Sequence, residues 1–277
     1  MCEQTSNAVL EREYSPSSVA PDFPAIVSAY ASRSSSVLET TPSQRLSYGT
    51  SADEYAIVFA ARARGRHLMV VFIHGGYWQD LAAEDSCFPA KGLLAQGISY
   101  AALNYTLAPS ASIAQIVDQC AAALHRISSE FPDATLILAG SSAGAHLAAM
   151  LATMEWSSSR SQPRVAGFIL ISGIYDLRPL TRTYINKPLN LDLAEAKAMS
   201  PAFLPVRHPA PTLVCWGEHE TSEFKRQSAE HARRLVRYGV SVELLEVSGR
   251  NHFDILFDLA DPATQLGKAV DNLFGDL

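Results

Sequence analysis

A serine framed by two glycines is the first feature of this chain that could do chemistry. Ser142 lies in the run Gly140-Ser-Ser-Ala-Gly144, after an apolar segment of strand length and before a helix-forming segment. This order predicts a nucleophile elbow, a sharp strand-to-helix turn that lifts a serine hydroxyl out of a sheet. Side chains at the two glycine positions would collide with the strand and the helix, and the turn strains the serine backbone. We therefore predict that Ser142 is a nucleophile; Ser141 is the competing hydroxyl, but it lacks glycines on both sides.

A histidine near the end of the chain is the predicted general base. In hydrolases built around such an elbow, the order along the chain is serine, acid and histidine. His252 fits this order because its run, Gly249-Arg-Asn-His252, lies just after the last predicted strand. His208 and His219 are weaker alternatives. His231 falls in the middle of a predicted helix among charged residues, and we expect it to be solvated.

Two carboxylates follow the preceding predicted strand, in the loop that begins with Gly217. Glu220 is preferred as the acid, because the acid commonly lies three residues after the glycine that ends this strand. Its role would be to hold the imidazole in the productive tautomer and to stabilise the imidazolium. Glu218 is the second choice, and Asp176, one strand earlier, is the third.

Backbone N–H groups are the predicted donors to the oxyanion of an acyl-transfer reaction. One belongs to Ala143, directly after the nucleophile, and the others belong to the loop after an early apolar strand. That loop contains Gly75 and Gly76, which let the chain pass close to a substrate and aim its N–H groups inward. Tyr77 and Trp78 follow directly, with two interpretations: they form a pocket wall for a planar substrate, or they cover the core.

An alternation of strands and helices is predicted to position these residues. Apolar β-branched runs indicate buried strands, and apolar residues at helical spacing indicate helices. Strands are predicted at 46–48, 55–60, 67–73, 98–103, 135–140, 165–172, 211–216 and 241–247, and helices at 25–30, 85–96, 112–129, 145–151, 222–238 and 262–274. This order predicts an α/β fold with a mostly parallel central sheet and helices on both faces.

A single domain over residues 1–277 is predicted, with two additions to its core. Residues 1–45 are polar and rich in serine and proline, which indicates an N-terminal arm or part of a lid. Residues 176–208 are irregular and contain several prolines, which indicates a small cap-like insertion. A chain of 277 residues fits one large α/β domain better than two small ones.

Composition excludes several classes of partner. The net charge of −6 gives no reason to expect nucleic acid or an anionic membrane. The four cysteines are scattered without a CxxC pair, which favours a reduced, cytoplasmic setting. Residues 1–7 contain neither the basic region nor the apolar core of a signal peptide. No apolar run approaches the roughly 20 residues needed to span a bilayer.

Taken together, the sequence resembles the α/β-hydrolase superfamily and, within it, the kynurenine formamidase (arylformamidase) group. The similarity extends over most of the chain. The runs that carry it are Glu13-Tyr-Ser-Pro-Ser, His74-Gly-Gly-Tyr-Trp-Gln, Asn104-Tyr-Thr-Leu-Ala-Pro, Gly140-Ser-Ser-Ala-Gly-Ala-His, Ser172-Gly-Ile-Tyr-Asp-Leu, Glu220-Thr-Ser-Glu-Phe and Asn251-His-Phe.

The resemblance implies a triad and a reaction. The triad would consist of Ser142, Glu220 and His252, with the oxyanion hole at Gly75, Gly76 and Ala143. Members of the group hydrolyse the formamide of N-formylkynurenine to kynurenine and formate, without a metal, and we expect no cofactor. The chain departs from the usual Asp-Ser-Pro-Glu-Phe of the group at residues 220–224, where the acid is longer and the proline is absent.

Other functions on the same fold stay open at this point. A carboxylesterase or a specialised-pathway acyl hydrolase would use the same residues on another acyl group, and an acyltransferase would exclude water from the acyl-enzyme. A ligand-binding protein on this fold is disfavoured, because such proteins usually lack a triad residue and all three positions are filled here. The expected partner is a small amide or ester, with an aromatic group favoured; the choice between a monomer and a homodimer stays open.

Overall fold

An eight-stranded sheet forms the centre of the computed structural model, which describes residues 7–61, 67–156 and 162–275. Its strands are β1 (Gln44–Ser47), β2 (Tyr55–Phe59), β3 (Leu68–Ile73), β4 (Ser99–Leu103), β5 (Thr135–Ser141), β6 (Val165–Ile171), β7 (Thr212–His219) and β8 (Val242–Asn251). The order in space is β1-β2-β4-β3-β5-β6-β7-β8. The first two pairings are antiparallel, and all pairings from β4 to β8 are parallel. The predicted α/β fold with a mostly parallel sheet is confirmed.

Helices cover both faces of this sheet. The α-helices are α1 (Asn7–Glu13), α2 (Phe23–Thr40), α3 (Ala90–Ala95), α4 (Ile113–Glu130), α5 (Ala143–Leu151), α6 (Asn186–Leu189), α7 (Leu193–Ala198), α8 (Ser222–Arg237) and α9 (Gln265–Gly275). Short 3₁₀ turns lie at Pro16–Val19, Ala83–Ser86, Arg178–Arg182, Pro201–Phe203 and Asp254–Asp258. Among the described residues, no helix combines the length and the hydrophobicity needed to cross a bilayer.

The core consists of two layers because alternate strand residues point to opposite faces. On β3, Val71 and Ile73 join the cluster beneath α4, α5 and α8, whereas Val70 and Phe72 join the cluster beneath α2, α3 and α9. Every residue of β3 is therefore buried, as expected of a strand covered on both faces. This double burial explains why the strand is continuously apolar in the sequence.

Two helices differ from the sequence-based predictions. The helix predicted at 85–96 is interrupted, because Pro89 has no N–H and its ring would collide with the carbonyl four residues earlier in a continuous helix. A 3₁₀ turn therefore ends at Ser86, and α3 begins at Ala90. The helix predicted at 25–30 extends instead from Phe23 to Thr40. Its serine-rich second half weakens the helical pattern, but Ser34 is buried there and its Oγ accepts the N–H of Phe88.

The N-terminal segment, defined here as residues 7–40, packs against the sheet domain through buried apolar side chains. The buried ones include Leu10, Tyr14, Ile26, Tyr30 and Val37. Residues 176–208 contain α6, α7 and two 3₁₀ turns, and they lie next to the N-terminal segment. Both regions reach the carboxyl edge of the sheet, where the predicted site residues are found.

Candidate active site

Ser142 lies at the tip of the turn between β5 and α5, with φ = 56° and ψ = −116°. A side chain at Gly140 would place its Cβ 2.3 Å from the backbone carbonyl of Gly144. A Cβ at Gly144 would lie 1.9 Å from the carbonyl oxygen of Ile73 in β3. Both distances are far below contact, so the helix can approach β5 and β3 only when these positions are glycine. The strained serine has the backbone conformation expected of a nucleophile elbow.

Glu220 and His252 form a buried pair. His252 Nδ1 lies 2.9 Å from Glu220 Oε2, and Glu220 Oε1 accepts the Ser172 hydroxyl at 2.6 Å and the Gly217 N–H at 2.7 Å. A carboxylate can only accept hydrogen bonds, so Nδ1 carries the proton and Nε2 is left as the basic nitrogen. The pair therefore has the geometry needed to orient a general base.

The alternative acids lie elsewhere. Glu218 is exposed, and its Oε2 accepts the N–H of Gly249 at 2.8 Å. Asp176 binds the guanidinium of Arg178 at 2.8 Å. Neither carboxylate has a contact with His252, so Glu220 is the acid that the geometry favours.

Three strand ends bring these side chains to one edge of the sheet. Ser142 follows β5, Glu220 follows β7 and His252 follows β8, and these strands run parallel in one sheet. A Cβ at Gly217 would lie 2.4 Å from the carbonyl oxygen of Arg250, so the glycine allows β8 to approach β7 closely. Ser142 and His252 line the same pocket.

The predicted oxyanion donors lie beside Ser142. Gly75 and Gly76 line the same pocket, and a Cβ at Gly75 would lie 3.3 Å from Ser142 Cβ. Gly76 has φ = 89°, and the next two residues, Tyr77 and Trp78, also have positive φ values of 50° and 60°. The N–H of Ala143 lies in the first turn of α5, where helix geometry provides no acceptor for it.

The two aromatic residues after Gly76 have different environments. Tyr77 lines the pocket, and its hydroxyl donates to the carbonyl of Tyr14 at 2.5 Å. Trp78 is completely buried in the core, with its ring edge-on to His146 at a centroid distance of 4.9 Å. The expectation of a pocket wall at Trp78 is therefore corrected, because its left-handed backbone turns the indole into the core.

The prediction that His231 is solvated is also wrong. His231 is buried, not solvated, and its ring stacks on Tyr175 at a centroid distance of 3.9 Å. Burial and, to a smaller extent, the charge of Arg234 lower the pKa of His231 to about 3. The residues charged in the sequence around His231 lie on the opposite, exposed side of α8. For this reason the sequence pattern did not indicate that His231 is buried.

The pocket at this edge has a volume of about 520 Å³. Besides Ser142, His252 and the Gly75–Tyr77 loop, it is lined by Pro16, Ser17, Phe23, Val27, Tyr30, Gln79, Asp80, Leu81, Ser141, Tyr184, Phe253 and Leu256. Much of this lining comes from the N-terminal segment, with Tyr184 contributed by the insertion. Among the described residues, no group of three or more His, Cys, Asp or Glu side chains could hold a metal ion.

Several of these residues escape sequence reasoning. Ser172, the donor to Glu220, directly follows β6, so its place at the carboxyl edge of a parallel strand was the available signal. Tyr184 and the N-terminal lining residues gave no such signal. They are far from the triad in sequence and reach it only through tertiary packing.

Comparison with known proteins identifies the family. The family model of the α/β hydrolase fold matches residues 70–255. A kynurenine formamidase from Danio rerio is 31% identical over 282 residues, covering 96% of this chain and 96% of the relative. The chain belongs to the kynurenine formamidase family of α/β hydrolases. A second relative, the kynurenine formamidase from Salmo salar, is 33% identical and covers 75% of this chain and 73% of its own.

Solved structures agree with the fold of this kynurenine formamidase family member. A candidate thioesterase from Silicibacter sp. TM1040 superposes with a TM-score of 0.86 and 27% identity, covering 95% of this chain and 98% of its own. An esterase from Pyrobaculum calidifontis has a TM-score of 0.72 and 18% identity, covering 96% and 95%. The chain is therefore an α/β hydrolase with formamidase and esterase relatives.

Proposed function

We propose that this protein hydrolyses N-formylkynurenine to kynurenine and formate through an acyl-enzyme on Ser142. The observation that carries the proposal is the Glu220–His252 pair, 2.9 Å apart, in a pocket shared with the strained serine. The relatives support this substrate class, because two that cover 96% and 75% of this chain are kynurenine formamidases. Together these points favour an aryl formamide over a general ester.

In the first half of the mechanism, Ser142 Oγ attacks the formamide carbonyl while His252 Nε2 takes its proton. Glu220 holds the ring through Nδ1 and stabilises the imidazolium that forms. The N–H groups of Gly75, Gly76 and Ala143 stabilise the tetrahedral oxyanion. A typical donor of this kind contributes about 3 kcal/mol to lowering the barrier.

In the second half, His252 returns the proton to the leaving nitrogen, and kynurenine departs. An amide nitrogen leaves poorly unless it is protonated, so the placement of His252 matters more than it would for an ester. Water activated by His252 then attacks the formyl ester of Ser142 and releases formate. The proposed reaction uses no metal and no cofactor.

The shape of the pocket supports an aromatic leaving group. Phe23, Tyr30, Tyr77, Tyr184 and Phe253 all line it, and aromatic walls favour contact with a planar ring. A volume of about 520 Å³ lies in the range of small-molecule sites. A formyl group needs little of this space, which leaves most of the pocket for the aryl ketone.

The test is the turnover of N-formyl-L-kynurenine by the purified protein, beside Ser142→Ala. We expect rapid release of kynurenine by the natural sequence and a loss of at least about 10³-fold in kcat for the variant. Absence of turnover on the formamide, with Ser142-dependent cleavage of a p-nitrophenyl ester, would retain the nucleophile and reject the substrate.

A second function, cleavage of an ester or thioester, is favoured by one specific observation. The solved structure with 27% identity is described as a candidate thioesterase. Comparing kcat/KM for N-formylkynurenine with that for short acyl thioesters and p-nitrophenyl esters separates the two functions. A higher kcat/KM for a thioester than for N-formylkynurenine would favour thioester cleavage as the function.

A further inference from the structure

The fixed charge of the pocket lining is of one sign only. Asp80 is the only carboxylate among the described lining residues, and none of these residues is a lysine or an arginine. The other polar side chains of the lining, apart from His252, are neutral hydroxyls and the amide of Gln79. A ligand in this pocket therefore meets one fixed negative charge and no fixed positive charge.

Asp80 is held close to the proposed oxyanion loop. Its N–H donates to the carbonyl of Gly76 at 3.0 Å, and its Oδ1 accepts the N–H of Leu81 at 2.9 Å. Asp80 is exposed and lines the pocket. Oδ2 and the second lone pair of Oδ1 are available to a ligand, because one carboxylate accepts about four hydrogen bonds.

Arginines around the pocket are engaged with other groups. Arg178 binds Asp176 at 2.8 Å, and Arg250 binds Asp258 at 2.7 Å. The guanidinium of Arg33 lies 3.9 Å from the ring centroid of Phe257. A substrate carboxylate would therefore enter this pocket without a cation among its described lining residues, at an electrostatic cost beside Asp80.

These observations assign a specificity-determining residue. Building on the proposed function, we propose that the site selects aryl formamides that carry an ammonium group, and that Asp80 binds this group. The α-carboxylate of N-formylkynurenine is dispensable in this scheme and points towards solvent. The decarboxylated amine, which keeps the ammonium and loses the carboxylate, is then as good a substrate as the amino acid or a better one.

Four substrates test the two charges separately. They share the ortho-formamidophenyl ketone: N-formyl-L-kynurenine has both charges, its decarboxylated amine has only the ammonium, its deaminated acid has only the carboxylate, and ortho-formamidoacetophenone has neither. Each is measured with the natural sequence, with Asp80→Asn and with Asp85→Asn. Asparagine keeps an oxygen that can accept the Leu81 N–H, so the loop contact survives the first replacement.

Asp85 is the matched control. Its carboxylate lies on the same stretch of chain and accepts the N–H of Ala82 at 2.9 Å, but it does not line the pocket. Adding the ammonium to the neutral ketone is expected to raise kcat/KM about fivefold, mainly through KM, in the natural sequence and in Asp85→Asn. Asp80→Asn should abolish this gain. Added salt should reduce the gain as well, because the attraction is ionic.

The outcomes separate this inference from the proposed function. Loss of the ammonium preference in Asp80→Asn alone supports the assignment. Three results would overturn the assignment of Asp80 while leaving formamide hydrolysis in place. They are equal kcat/KM with and without the ammonium, an ammonium preference that survives Asp80→Asn, and a strong requirement for the carboxylate. Failure to cleave any of the four formamides would reject the proposed function and this inference with it.

Discussion

Glu220 illustrates how a single carboxylate can be fixed from several directions. Oε1 accepts hydrogen bonds from Ser172 and Gly217, and Oε2 faces His252. Charge-assisted hydrogen bonds are stronger than neutral ones, so the side chain has little freedom to rotate. The methylene that a glutamate has in addition to an aspartate is therefore accommodated at position 220 without loss of the contact to histidine.

Replacing Glu220 with Gln tests this arrangement. The amide can offer an N–H to His252 Nδ1, which would stabilise the wrong tautomer or break the contact. We expect kcat to fall by about 10³- to 10⁴-fold with little change in folding. Glu218→Gln is the control, because that exposed side chain binds only the N–H of Gly249 among its described contacts, and its kcat should stay near normal. Near-normal turnover of Glu220→Gln would remove Glu220 from the triad.

Sequence reasoning is sufficient to place residues whose position follows from strand order, while their catalytic roles stay predictions. Ser142, Glu220 and His252 each follow a parallel strand directly, so chain order and the elbow pattern predict that they lie at one edge of the sheet. It did not decide between pocket and core for Trp78, and it was wrong about the environment of His231. The orientation of Trp78 depends on three consecutive left-handed residues, and the burial of His231 depends on Tyr175 from another part of the chain.

At the scale of elements, the N-terminal segment is tied to the acid loop by a set of hydrogen bonds. Tyr14 is buried, its hydroxyl donates to Glu223 at 2.8 Å and accepts from Gln227 at 2.8 Å, and its carbonyl accepts from Tyr77. Thr221 Oγ1 donates to the carbonyl of Glu13 at 2.6 Å. The segment that lines the pocket is thus anchored to the start of α8 and to the proposed oxyanion loop.

Replacing Tyr14 with Phe should weaken this anchor without creating a cavity. Gln227 would lose the acceptor of one N–H, and Glu223 would lose a donor. A buried donor left without its partner costs about 1–3 kcal/mol, so we expect the free energy of unfolding in urea to fall by about 2 kcal/mol. KM should rise more than kcat falls, because the pocket lining loosens.

Tyr238→Phe provides the comparison for that variant. Tyr238 lies at the other end of α8 and is half-exposed, and its hydroxyl accepts a hydrogen bond from Arg234 at 3.2 Å. Its replacement should change stability by less than about 0.5 kcal/mol. Equal effects of the two replacements would contradict the role assigned to Tyr14.

At the scale of the whole molecule, three buried histidines outside the proposed triad link stability to pH. Burial lowers the pKa of His74 and of His146 to about 4, and that of His231 to about 3. An exposed histidine in the unfolded chain has a pKa near 6.5. Between these values the unfolded chain binds protons that the folded protein does not bind, so protonation favours unfolding.

Stability should therefore be complete above about pH 6.5 and decrease as the pH falls towards 4. Three protons correspond to a slope of up to about 4 kcal/mol per pH unit within this window. Urea unfolding at several pH values between 7.5 and 5 measures the slope. His231→Phe, which preserves a ring against Tyr175, should reduce it by about one proton. A flat profile over this interval would exclude the effect.

The fold as a whole was predictable because its central strands are buried on both faces. Continuous apolar runs such as β3 and β5 are visible without any tertiary information, and strand–helix alternation then dictates a parallel sheet. The start of α3 and the length of α2 could not be predicted from the sequence pattern. The first depends on Pro89, and the second depends on the burial of Ser34 by a neighbouring loop.

The link between Tyr14 and α8 also determines when this protein can become active during its synthesis. Tyr14 leaves the ribosome 209 residues before Glu223, its hydrogen-bond partner. Tyr184, and later His252, must also emerge before the pocket has all its walls. A nascent chain can form β3, β4 and β5 early, but it has no complete pocket until β8 and His252 are released. Hydrolysis should therefore begin only after His252 has emerged, and chains that end before this residue should be inactive.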